Sequence, residues 1–576
     1  MSNDIENEYF CDGVTEEIIN ALTKIDQLKV IARTSSFAFK GKGIDIREIG
    51  KKLSVNTILE GSIKKSQDKV RITAQLIDVS DGIHYWSKKY DRALVNIFDL
   101  EDEISLAIAD EVRNNFGHFE VQDHLIKQPT NSIDAYQLFL KGRSLQLKWT
   151  PESINQAISF YNQAITLDNQ YAKAYYANLQ CYGLLAMWGY MPYEKAIDLA
   201  ISNFLIAKEI DTSLPEYPLS FVGKFFWEEW DFKNAYIHIN KVLEINPNHI
   251  DGLEAMAELC IALGFFDKAI VFANKLLEVD PLSANNHYTL AHIYYYQHKF
   301  HKALESIEYA LTLNPQLELA HHLKCFCLIW LNDTEQFKAL IQNTSLIEEK
   351  NLLFNLINEK DAEITDEDIS KWTKGGHELT MLVPYEMFIL CNSNHKELGF
   401  SRLKEMINRR RGQVINFRQE PFLQPLHSIK GFSELHQSNL FFEDIKVSQK
   451  EEEKLTSNIL DNQQIETLRK ELLTYCEEEE PYLNPQLSLK FVADDLGLNT
   501  NKMSYLINQA FHTNFNDFIN QYRLNHFKTT AIDPKNSHLT ILGLAYDSGF
   551  NSKSVFNTYF KKIEGITPRA WMKTNS

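Results

Sequence analysis

The spacing of apolar residues changes twice along the chain, and each change predicts a different architecture. Up to residue 119, helical and alternating patterns are mixed. Residues 14–22 (VTEEIINAL) have apolar positions three and four apart, which predicts a helix. Residues 28–33 (LKVIAR) read as a strand, and 44–53 as a second helix. Three extended runs follow, at 57–64, 70–79 and 83–90. They are broken at Gln67-Asp68 and at Asp81-Gly82, the latter a hairpin signal because Asp and Gly tolerate the positive φ of tight turns. A helix over 98–114 closes an α/β domain assigned to 1–119.

Between 132 and 345 the dominant signal is repetition. Pro247, Pro281 and Pro315 are 34 residues apart, as are Ala235, Ala269 and Ala303. Gly223, Ala257 and Ala291 share the interval, at a position where a small residue lets two helices cross closely. Earlier copies are less regular, with Ala157, Tyr161 and Ala164, then Ala200, Phe204 and Ala207. This is the tetratricopeptide pattern, five copies and a decayed sixth after Pro315, and it predicts an all-α solenoid of stacked helix pairs. Residues 346–480 read as a helical extension and linker. The charged runs at 450–454 and at Glu477 to Glu480 read as solvated surface.

The second change comes at Pro481. Leu489, Val492, Ala493, Leu496, Leu498, Met503 and Leu506 form the skeleton of two short helices around a turn at Gly497, with Asn499 or Thr500 capping the second. The arrangement recurs in Leu544, Ala545, Gly549, Phe550, Phe556 and Phe560. Ala493 to Ala545 and Gly497 to Gly549 are both 52 residues. FNDFINQYRLNHFK, between the copies, reads as one amphipathic helix holding both. The fold expected for 481–576 is therefore all-α, a double helix-turn-helix, making the chain a multidomain protein.

Two resemblances follow from these words. The segments ENEYFCDGVTEEIINAL, VIARTSSFAFKGK, IREIGKKLSVNTILEGSI, VRITAQLIDVSDG and YWSKKYDR resemble the TolB-like (FlgO-like) domain that precedes tetratricopeptide repeats in many bacterial regulators. That family begins with another strand just before the position of Asn3, so the resemblance implies either a start codon upstream of Met1, the favoured reading, or a sheet that has lost an edge strand. ILGLAYDSGFNSKSVFNTYFKKIEGITP resembles the second half of the AraC/XylS DNA-binding domain, and LSLKFVADDLGLNTNKMSYLINQAF fits its first half, with Ile507 where the family places Phe.

The AraC resemblance implies double-stranded DNA as partner and two groove-reading helices. In the first, Met503, Leu506 and Ile507 face inward and expose Asn501, Lys502, Ser504, Tyr505 and Asn508. In the second, Phe556 and Phe560 face inward and expose Lys553, Ser554, Asn557 and Thr558. By resemblance Asn501, Ser504, Tyr505, Lys553, Ser554, Asn557 and Thr558 occupy base-contacting positions. Lys561, Lys562 and Arg569 are expected on phosphates, which position without specifying. No arginine lies on either exposed face, so the commonest guanine reader is missing and the operator cannot be named.

Charge changes this picture only when divided. The chain carries −18 overall, but 481–576 holds ten Lys or Arg against six Asp or Glu, +4, leaving −22 for the rest. Phosphate attraction depends on the local field, so a basic end on an acidic body is compatible with DNA. No apolar run is long enough to span a membrane, the acidic N-terminus is not a secretory leader, and seven scattered cysteines predict a cytoplasmic protein. His321, His322, Cys325 and Cys327 lack a tetrahedral arrangement, and Asp12, Glu16 and Glu17 lack a nucleophile. No metal, cofactor or enzymatic activity is expected. The expected function is an AraC-type transcription regulator whose repeats engage a protein or peptide, with dimerisation left open. The alternative is a cytoplasmic repeat scaffold carrying a vestigial DNA-binding module.

Overall fold

The structure, a computed structural model, describes residues 5–575 apart from 26, 67, 118, 149, 188–189, 343–345, 360–363, 366, 370–382, 437–439, 442–444, 446–459 and 537. It is mostly helical with one small antiparallel sheet. The chain divides into two compact units, residues 1–44 with 128–447 and residues 45–127 with 448–576. The segment expected as one domain over 1–119 is shared between them.

In the first unit a helix spans Ile5–Leu22, beginning well before the apolar pattern at Val14. The strand expected over 28–33 is not formed. Residues 28–32 lack regular structure, and Ile31 and Ala32 are buried. With no strand beside it, this backbone is satisfied by the end of the helix Phe266–Val279, Ala32 N donating to Val279 O at 2.7 Å. Just after, Ser35 N donates to Asp280 Oδ1 at 3.0 Å.

Six helix pairs follow, from Ile133–Gln146 with Pro151–Leu167 to Glu318–Leu331 with Thr334–Ile341. Side-chain oxygens of Ser132, Thr150, Asp231, Ser283 and Asp333 cap the helices they precede, satisfying amides that have no intrahelical partner. Ala157, Ala235, Ala257, Ala269, Ala291 and Ala303 are all fully buried, as small residues at close crossings must be. Gly223 breaks this rule. It is exposed, with open space where a Cβ would stand, because the helix widens over Gly223–Glu229 to a π form and carries the glycine off the crossing.

The 346–480 stretch is split between the units. Tyr385–Cys391, Lys396–Asn408 and the 412–435 segment pack on the repeats, Phe422 lying against Trp330 and Phe388 with centroids 5.0 and 5.3 Å apart. Tyr295 donates to Glu420 at 2.7 Å from within the fifth pair. Cys325 and Cys327 are buried, and His322 Nδ1 lies 2.8 Å from the Tyr385 hydroxyl. Asp12 and Glu16 are engaged by Arg33, Lys40 and Arg143, and Glu17 by Lys173. Among the described residues no helix is long and apolar enough to cross a membrane.

The second unit begins with the helix Ile46–Leu53 and three strands, β1 (Thr57–Ser66), β2 (Lys69–Asp78) and β3 (His84–Ala93), antiparallel in the order β1-β2-β3. Register pairs Ile58 with Ile77 and Ile63 with Ile72, and Gly82 turns the second hairpin at φ +76°. Val70, Ile72, Ala74 and Leu76 alternate to the inner face, where the helix Ile97–Phe116 covers them. The run at 450–454 lies outside the described residues. The helix Asn462–Glu478 lies in the stretch expected as helical extension and linker, and it joins the C-terminal helices. Its N-terminus is fixed by a capping box between Asp461 and Gln464.

Candidate nucleic-acid interface

The geometry after Pro481 follows from caps and glycines. Ser488 caps the short helix Leu489–Asp495, and Gly497 then turns at φ +67°, letting Leu498 N reach Ala493 O at 2.8 Å. Asn499 accepts from Lys502 N at 2.8 Å and starts the helix Thr500–Phe511. Asn514 caps the connecting helix Phe515–Ala531. The sequence is then repeated. Thr540 caps Ile541–Asp547, Gly549 turns at φ +89° with Phe550 N on Ala545 O at 3.2 Å, and Ser552 caps Lys553–Glu564. Pro568–Asn575 ends the chain's helices.

Two apolar clusters support these halves. Leu472, Cys476, Leu489, Val492, Ala493, Met503, Leu506 and Ile507 form one, and Leu524, Phe527, Leu544, Phe550, Phe556, Phe560 and Trp571 the other. The connecting helix contributes to both and is tied by a polar clamp. Arg523 donates from Nε to Tyr482 O at 2.8 Å and from Nη2 to Asn484 O at 3.0 Å, and burial lowers its pKa to about 10. The same Tyr482 carbonyl would lie 2.0 Å from a Cβ at Gly549, so the second turn abuts the Pro481–Leu483 turn with no room for a side chain.

The second helix presents its residues as the pattern implies. Lys553, Asn557, Thr558, Lys561 and Arg569 are exposed, while Phe556 and Phe560 are buried. Ser554 lies in this helix, but its side chain is outside the described residues. A shallow hollow of about 190 Å³ brings Lys553, Asn557, Thr567 and Arg569 together at the edge of the helix. Lys562, expected on phosphate, reaches Asp517 Oδ2 at 2.7 Å while staying exposed.

The first helix differs. Lys502 is exposed, but Ser504 and Tyr505, expected to face outward, are buried at 8% and 9% exposure. Tyr505 joins the cluster built with the 462–478 helix, an element that facing arguments on one helix do not include. Asn501 and Asn508 are half-buried. Both ends of the Asn501 amide are engaged from elsewhere in the unit. Its Oδ1 accepts from Arg113 Nη1 at 2.5 Å and from Val121 N at 3.2 Å, and its Nδ2 donates to Val121 O at 3.1 Å. Asn516 Nδ2 donates to Asn115 Oδ1 at 2.9 Å close by. Nothing in the sequence pattern signals the contacts of Arg113 and Val121, which join positions nearly four hundred residues apart.

Comparison with known proteins supplies two matches to family models. A helix-turn-helix domain matches residues 492–574, and a tetratricopeptide repeat matches residues 284–317. The chain thus carries both. It is also 37% identical over 177 residues to a protein named "Putative adenylate cyclase 3" of Rhizobium meliloti (strain 1021), covering 30% of each chain. The chain therefore spans less than a third of that protein's length. Among solved structures, YrrB, described as a TPR protein with an unusual peptide-binding site, is 22% identical over 33% of this chain and 92% of its own, at a TM-score of 0.23. The human IFIT1 dimer with m7Gppp-AAAA is 13% identical over 54% of this chain and 77% of its own, at a TM-score of 0.33.

Proposed function

We propose that the chain is a sequence-specific DNA-binding transcription regulator of AraC type. Two helix-turn-helix modules, held by the 515–531 helix, enter successive major grooves about 34 Å apart on one face of the duplex. The observation that carries this reading is the second helix, where Lys553, Asn557, Thr558 and Lys561 are exposed and where Lys553 and Asn557 line one hollow with Arg569 of the following helix. Asn557 is suited to adenine, which offers a donor and an acceptor to one amide. Arg569 and Lys561 supply backbone contacts, which set register and salt dependence. The repeats engage a protein or peptide, and the α/β segment is a TolB-like sensory domain.

Selection of duplexes from a random library by the full chain, followed by anisotropy titrations, tests the reading. Asn557→Ala is expected to relax specificity at one position and cost about 1–3 kcal/mol there, whereas Arg569→Ala weakens all duplexes alike and lowers the salt slope by about one. Recovery of no consensus, with binding indifferent to salt, would refute it. The buried Ser504 and Tyr505 favour a second reading, a repeat scaffold with a vestigial module. That reading predicts no consensus from any variant.

A further inference from the structure

After the Ile97–Phe116 helix, residues 119–126 have no regular secondary structure, yet they are fastened at both ends. Gly117, at φ +119°, ends the helix. Phe119 and Leu125 are buried. At the far end Asp102, itself buried, accepts from Leu125 N at 2.7 Å and Ile126 N at 2.8 Å and lies 2.8 Å from His124 Nδ1. At the near end Val121 and Arg113 hold Asn501, on the first turn of the Thr500–Phe511 helix. Arg113 is itself buried and paired with Asp110 at 2.5 Å.

The chemistry of the Val121 contact is specific. In reading adenine, an asparagine donates its NH2 to N7 and accepts from the N6 amino group with its oxygen. Val121 offers the same pair in the same sense, its carbonyl accepting from Nδ2 and its N–H donating to Oδ1. The segment also carries the exposed acids Glu120 and Asp123, and Asp110 feels the charge of Lys490 on the module. The Val121 edge thus presents the donor–acceptor pair of a base, with acids beside it and the Arg113 guanidinium as the nearest charge.

We infer that residues 119–126, with Arg113 at the end of the preceding helix, form a self-inhibitory strap, which occupies the first groove-reading helix with a backbone mimic of an adenine edge and must leave before that helix can read DNA. The inference rests on the DNA-binding reading above and adds its regulation. Asn501 cannot satisfy Val121 and a base together, because one amide has one such pair of groups on that edge. The chain passes from the strap to Gln128, where the repeat-bearing unit resumes.

The test uses the full chain and the duplex it selects from a random library, titrated by anisotropy at fixed salt. Two variants loosen the strap without altering the reading helix. Arg113→Ala removes one donor, and Val121→Pro removes the N–H that imitates the amino group. Each removes a hydrogen bond of modest net worth, so each is expected to tighten binding by about three- to tenfold through a larger competent fraction. Amide exchange of 119–126 in the wild-type chain decides the matter even where a variant folds poorly. Exchange should rise when duplex is added. Equal affinities, with exchange unchanged by saturating duplex, would overturn the strap and leave the DNA-binding reading intact. Failure of wild type and both variants to bind any duplex selectively would overturn both.

Discussion

Glu420 shows what a single residue reveals about the repeat-bearing unit. Burial raises its pKa to about 7, against the opposing pull of the hydrogen bonds from Tyr295 Oη and Phe422 N. A carboxyl whose pKa rises on folding holds its proton more tightly when folded. Its contribution is therefore complete below the unfolded value near 4.5 and is lost as pH rises through about 7. Thermal melts should show the unit weakening between about pH 4.5 and 8, and Glu420→Gln should remove a share of order 3 kcal/mol from that decline. Glu254 and Glu258, raised by burial to about 7 and about 8, supply much of the remainder. An undiminished decline in the variant would show that Glu420 is already ionised.

Glycines give a second residue-scale contrast. Gly497 and Gly549 occupy matching turns, both with positive φ, and the sequence treats them as equivalent. Their surroundings differ. A Cβ at Gly497 meets open space, so Gly497→Ala should cost only the left-handed conformation, about 1–2 kcal/mol. At Gly549 it would also strike the Tyr482 carbonyl and displace the turn that Arg523 holds, so Gly549→Ala should cost about 3 kcal/mol or more. Urea unfolding of the two variants compares them directly. Equal losses would mean that the second turn does not abut residues 481–483.

At the scale of elements, legibility tracked how local the cause was. The helix pairs, the β2–β3 hairpin and both capped turns were readable because caps, glycines and apolar periods act over a few residues. The strand expected over 28–33 was not readable as coil, since its fate depended on a neighbour strand that does not lie beside it. The helix Asn462–Glu478 was legible as a helix, with a start signal in Asp461 and Gln464, but not as a part of the C-terminal module, because its packing partners lie beyond Pro481. The outward faces of the two reading helices separate the same way. Lys553, Asn557 and Thr558 stand open as helical facing predicts, whereas Ser504 and Tyr505 are buried, Tyr505 in the cluster that includes the 462–478 helix. A wheel drawn for one helix cannot register a second helix lying on it.

For the whole molecule, the division into units is the feature least visible in sequence. Residues 45–127 group with the C-terminal helices across more than three hundred intervening residues. This places the α/β segment beside the module that it would regulate and makes the strap a direct physical link between them. The charge asymmetry, +4 on 481–576 against −22 elsewhere, concentrates the basic charge on the segment that holds the helix-turn-helix match. The most direct measurement of the central claim is a selection of random duplexes by the full-length chain, repeated with Val121→Pro. A consensus containing two half-sites about one helical turn apart, recovered more strongly by the variant, is the predicted result. Absence of any consensus from either protein would contradict it.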